Sequence, residues 1–196
     1  MCSDYRNRVE LADMDNLFAE VGVPLSYPEG RPNIEPRDDI RITDRAPIIR
    51  AAADQPGAAE LVQRRWSWPG PGGKPVYNFR SDGREFGSGR CLIVADGFYE
   101  FTAPSDPKAR RKHKWLFTLN GASLFGIAGL WRTSPDVGEA FTMLTTQPGA
   151  DVAPYHSRQI VVLAPAEFAR WLDPNVPARE LARPLAPGSL KVTRIC

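Results

Sequence analysis

At 196 residues the chain is long enough to bury a sizeable core, and its 42% hydrophobic and 24% charged content is ordinary for one soluble globular domain over residues 1–196. A net charge of +2 permits nucleic-acid binding without demanding it, so the placement of the cations matters more than their number. Three scattered cysteines and two histidines argue against a disulfide framework and a metal site. No stretch is long and apolar enough to span a membrane and no secretory pattern opens the chain, so a cytoplasmic protein without metal or cofactor is expected.

The chain opens Met1-Cys2-Ser3-Asp4-Tyr5-Arg6. Cysteine is small enough for the initiator methionine to be clipped before it. Clipping would leave Cys2 with a free α-amine of pKa about 8 beside a thiol of pKa about 8.5. Such a 1,2-aminothiol condenses with an aldehyde, first as an imine and then as a thiazolidine. A chance cysteine in a frayed terminus is the other reading. Residues 13–21 predict a short helix with Asp13 as N-cap and Leu17, Phe18 and Val21 inward, ended by Gly22. Residues 24–36 form a Pro-rich loop containing Pro32-Asn33-Ile34-Glu35-Pro36, and residues 47–53 suit a strand.

Residues 61–68 gather Arg64, Arg65, Trp66 and Trp68. Guanidinium groups meet phosphates and indoles meet unstacked bases, so this is a candidate nucleic-acid surface; a half-buried strand with both indoles on one face fits equally. In the strand predicted over residues 76–80, period two puts Asn78 and Arg80 on one face, suited to a sugar-phosphate or to a solvated edge. Residues 90–101, RCLIVADGFYEF, hold an apolar run of the kind buried on both faces, then a turn dipeptide at Asp96-Gly97. Beyond the turn, alternation sets Glu100 opposite Tyr99 and Phe101. Either Glu100 faces solvent on an edge, or it is desolvated and its pKa rises to a value useful for moving protons.

Residues 104–114 carry Lys108, Arg110, Arg111, Lys112, His113 and Lys114, a charge run expected to be a flexible, solvated loop. Residues 115–119 and 124–131 read as a hairpin about Asn120-Gly121. Further strands are expected over 140–146, 160–163 and 191–195, and helices over 165–172 and 177–182, the first burying Phe168, Trp171 and Leu172. His156 lies where a loop meets a strand, a junction where binding and catalytic groups concentrate, although a lone histidine there is more often structural than catalytic.

In order along the chain, Met1-Cys2, Pro32-Asn33-Ile34-Glu35-Pro36, Arg65-Trp66, Asn78-Phe79-Arg80, ADGFYE, FGIAGLW and LTTQPGADVAPYHSR resemble the SOS response-associated peptidase family. The resemblance implies an α+β fold, mostly antiparallel with a barrel-like β core and a few short helices. It also implies a DNA-damage protein that shields abasic sites in single-stranded DNA and acts as a monomer. Carried over by position, Cys2 is the nucleophile that closes the thiazolidine on the aldehyde, Asn78 orients the sugar and amine, and Glu100 is the acid/base that opens the sugar ring. His156 assists proton transfer. Arg80 and Arg158 contact the DNA backbone, and Trp66 and Arg6 are further DNA contacts. The chain departs from the family pattern where Ser3-Asp4 replace Gly-Arg after the cysteine, leaving that cationic contact absent or supplied by Arg6. Asp82 stands where Glu is usual, Phe101 where Trp is usual and Ser157 where Asp is usual. A cysteine-dependent peptidase, acting on its own Met1, and a non-catalytic single-strand binder are the competing functions.

Overall fold

The structure, a computed structural model, describes residues 2–104, 108 and 111–196. Met1, with its expected removal, and part of the expected basic loop over 104–114 lie outside the described residues. Five strands close on themselves. Arg45–Ala51 pairs antiparallel with Ala59–Trp66 and with Arg90–Ala95. Arg90–Ala95 pairs with Phe125–Ser134, and that strand with Gly138–Thr146. The ring shuts where Ala140 and Phe141 run parallel to Arg65 and Trp66. Closure removes the free edges that an open sheet of these lengths would expose.

A second, antiparallel sheet has the order Leu190–Arg194, His113–Leu119, Gly97–Thr102, Asp4–Asn7, Arg37–Arg41. Period two splits the barrel side chains between two cores. Ile48, Val62, Trp66, Cys91, Ile93, Phe141 and Met143 pack with Tyr5, Phe98 and Phe117 of the second sheet. Ile49, Leu61, Leu92, Val94 and Leu144 face the other way, under Met14 and Phe18 of the helix Leu11–Glu20 and Phe168 and Trp171 of the helix Phe168–Leu172. Arg90–Ala95 is buried throughout because it contributes to both cores. The fold is mixed α+β with short helices, and no helix among the described residues is long and apolar enough to cross a membrane.

Several local expectations change. The first helix begins two residues earlier than predicted, after Glu10, and Asp13 lies in its first turn, where its charge suits the helix dipole without capping it. Its buried pair is Met14 and Phe18, whereas Leu17 and Val21 are only partly covered. The strands flanking Asn120-Gly121 do not form a hairpin. Gly121 has φ +76°, as a turn requires, but His113–Leu119 belongs to the second sheet and Phe125–Ser134 to the barrel. Asp96-Gly97 is likewise a corner between sheets. A Cβ on Gly97 would stand 2.6 Å from Leu116 Cδ1, so close approach, not positive φ, calls for glycine there. The strand over 61–68 breaks at Ser67, at φ +82°. The apolar run over 160–163 is two short pieces that fill the gap where Phe125–Ser134 and Gly138–Thr146 separate: Gln159–Ile160 pairs with one and Val162–Leu163 with the other.

Candidate active site

Cys2 precedes the strand Asp4–Asn7, which lies between Gly97–Thr102 and Arg37–Arg41 in the second sheet, and is 1% exposed. Its thiol donates to the Asp4 carbonyl at 3.2 Å. Burial, and then the charge of Glu100, push the thiol pKa up, so sulfur stays protonated at neutral pH. The strand Asn78–Arg80 lies parallel to Met143, Leu144 and Thr145, which brings Asn78 across 76 residues of sequence to donate from Nδ2 to the Cys2 carbonyl at 2.8 Å. Asn78 Oδ1 is buried without a hydrogen-bond partner among the described residues. An acceptor left so costs about 1–3 kcal/mol unless a donor arrives, so this oxygen points to a ligand N–H or O–H.

Glu100 sits in a strand flanked on both sides, directly across from Trp115 and on the face of Phe98. At 1% exposure it is no edge residue, which overturns the solvent-facing reading. Burial raises its pKa to about 7, against the pull of the positive amino terminus. His156 ends a turn whose amide bonds the Val152 carbonyl. Its Nδ1 lies 2.9 Å from the Arg158 N–H and 3.0 Å from the Arg158 carbonyl. A neutral ring accepts from the amide and a charged ring donates to the carbonyl, so Nδ1 has a backbone partner in either state. Desolvation, and then the amino-terminal charge, lower its pKa, so the neutral ring dominates at pH 7.

The cations divide. Arg80 is exposed and has no ion-pair partner among the described residues. Arg158 is 8% exposed and donates from Nη2 to the Thr145 carbonyl at 2.9 Å, while also pairing with Asp82. It ties the loop before Gln159 to the strand Gly138–Thr146, and Asp82 explains its neutralisation. Arg6 pairs with Asp96 at 2.9 Å and does not stand in for the missing cation after Cys2. Trp66 is corrected most plainly: it is 0% exposed, edge-on to Tyr5, parallel to Phe141, and its Nε1 donates to the Tyr77 carbonyl at 2.9 Å. A ring so enclosed cannot stack on a base. Trp68 is buried too, under Arg132, and Arg64 pairs with Glu29 and Glu139, so residues 61–68 are framework. Asp39 was not singled out from the sequence, and Lys114, expected in a solvated loop, lies instead in the strand His113–Leu119. Lys114 Nζ contacts Asp4 Oδ2 at 2.9 Å and also Asp39, a long-range ion pair that leaves no trace in spacing.

The family model for SOS response associated peptidases (SRAP) matches residues 1–195. The chain is 36% identical over 93 residues to the abasic site processing protein YoqW of Bacillus subtilis (strain 168), covering 45% of this chain and 40% of that protein. It is 33% identical over 106 residues to the abasic site processing protein YoaM of the same organism, covering 52% of this chain and 43% of the relative. The matches therefore span less than half the length of these relatives. A crystal structure of a Bordetella bronchiseptica protein superposes with a TM-score of 0.73 at 23% identity over all of both chains. One from Bacteroides thetaiotaomicron does so at 0.74 and 16% identity, over 100% of this chain and 92% of that one. These structures share the fold.

Proposed function

The chain belongs to the SOS response associated peptidase family, and from that premise we propose that it processes abasic sites in single-stranded DNA by covalent capture at Cys2. An abasic deoxyribose is mostly a closed hemiacetal. Opening it requires a proton to leave the C1 hydroxyl and one to reach the ring oxygen. Glu100, titrating near neutrality, is suited to take one and give the other. Once Met1 is removed, the Cys2 amine adds to the aldehyde and loses water as an imine. The sulfur then adds to the imine carbon, its proton passing to nitrogen, and the ring closes. Asn78 holds the Cys2 carbonyl and offers Oδ1 to the amine N–H, while His156 carries protons at the imine stage. The observation that carries this reading is that Asn78 bonds Cys2 directly beside a buried carboxyl group of pKa about 7.

The test is a denaturing gel of protein mixed with abasic single-stranded DNA. A heat-stable adduct is expected with wild type and none with Cys2→Ala; an equal adduct in the variant would falsify the reading. General cysteine peptidase activity fits less well. Such enzymes activate the thiol by lowering its pKa, and here burial and Glu100 raise it.

A further inference from the structure

Lys114 reaches across the second sheet. From the strand His113–Leu119 it passes over the strand Gly97–Thr102, with Nζ 3.7 Å from the Tyr99 ring centre, to Asp4 on the strand Asp4–Asn7 and Asp39 on the edge strand Arg37–Arg41. Asp4 is 7% exposed, and burial raises its carboxyl pKa against the pull of Lys114. Desolvation presses Lys114 down, but hydrogen bonds to Asp39 and Asp4 outweigh it and its pKa rises. Two carboxylates thus share one ammonium on the outer face of the sheet. Arg41, opposite Asp4 in the register, is exposed and makes no ion pair among the described residues.

Asp4 is also the first paired residue of the amino-terminal strand, and its carbonyl receives the Cys2 thiol. A terminal strand frays from its first pair unless something ties it down. We propose that Lys114 is a positioning residue for Cys2: by clamping the Asp4 side chain against Asp39, it holds the Asp4 carbonyl where it seats the thiol between Asn78 and Glu100. Without the ammonium, no cation bridges the buried Asp4 carboxyl to Asp39, and the first residues lift away. The clamp deepens the proposed capture reaction and rests on Cys2 being its nucleophile.

Alkylation by iodoacetamide, followed by peptide mass analysis, reads the seat without DNA. Cys91, 0% exposed, reports global opening, and Cys196 is the exposed reference. In Lys114→Met, Cys2 is expected to label about tenfold faster than in wild type while Cys91 stays protected, because only local opening becomes easier. Lys114→Arg restores the slow rate. At saturating abasic DNA, Lys114→Met forms adduct about tenfold more slowly, while the DNA concentration at half-saturation moves little. Unchanged Cys2 labelling in Lys114→Met overturns the clamp. If that variant exposes Cys91, Asp4→Ala decides by the same labelling, and an unchanged Cys2 rate there overturns it as well. Fast labelling in Lys114→Met with no wild-type adduct sinks the capture reaction and leaves the clamp standing.

Discussion

A carboxyl group 1% exposed within a sheet prefers its neutral form, and Glu100 accordingly titrates near 7 instead of near 4.5. The folded state holds that proton more tightly than the unfolded chain, so folding is favoured while Glu100 is protonated in both states. Stability is lost as pH rises from about 4.5 through 7, on the order of 3 kcal/mol in all. Glu100→Gln should therefore melt higher than wild type at pH 8 and show a shallower fall of Tm between pH 5 and 7, the remaining slope including that of Asp4, as calorimetry can check. The same variant should abolish the inflection near pH 7 in the rate of adduct formation. Residue identity at this position was legible from the sequence, and so was the face it takes. What covers that face was not, because alternation is local and the cover comes from strands distant in sequence, Asp4–Asn7 among them. Arg6, Arg64 and Arg158 teach the same lesson: each reads as a free cation until its acidic partner is placed beside it.

At the scale of elements, the barrel depends on close contacts among its central strands. Gly129 lies in Phe125–Ser134, and a Cβ there would stand 2.6 Å from Ile93 Cδ1, 2.9 Å from the Thr142 carbonyl and 3.0 Å from Cys91 Sγ. The carbonyl belongs to a paired strand and cannot step aside cheaply. Gly129→Ala is expected to cost about 1–3 kcal/mol, with Tm falling by about 2–4 °C for each kcal/mol; a melting curve unchanged from wild type would contradict this. Strand existence was readable from apolar runs and turn dipeptides. Which strands pair was not: Asn120-Gly121 carries a strong hairpin signal, yet its flanking strands find better partners in Leu190–Arg194 and Arg90–Ala95. A turn dipeptide sets the local reversal, whereas pairing follows the burial available on each side.

Across the whole molecule, the site exists because barrel and second sheet meet along one core, bringing Cys2, Asn78 and Glu100 together from three separate strands or strand ends. On the proposed reading, Arg80, exposed on the strand that carries Asn78, holds a phosphate beside that site. Arg80→Ala should weaken binding of single-stranded DNA whatever its sequence and flatten the slope of log K against log salt by about 0.7. Titrations at several salt concentrations check this, and an unchanged slope would exclude Arg80 from the phosphate path. By itself the sequence determined most of the strands and the ordered set of residues that resembles one family, and the fold class came with that resemblance, because hydrophobic period and residue chemistry are properties of short segments. Only the tertiary structure decided that Trp66 is core, that Glu100 is buried, that Arg6 and Arg158 are already paired, and that Lys114 reaches Asp4. Burial and charge pairing are properties of what packs across space, and distant segments carry no record of one another in their spacing.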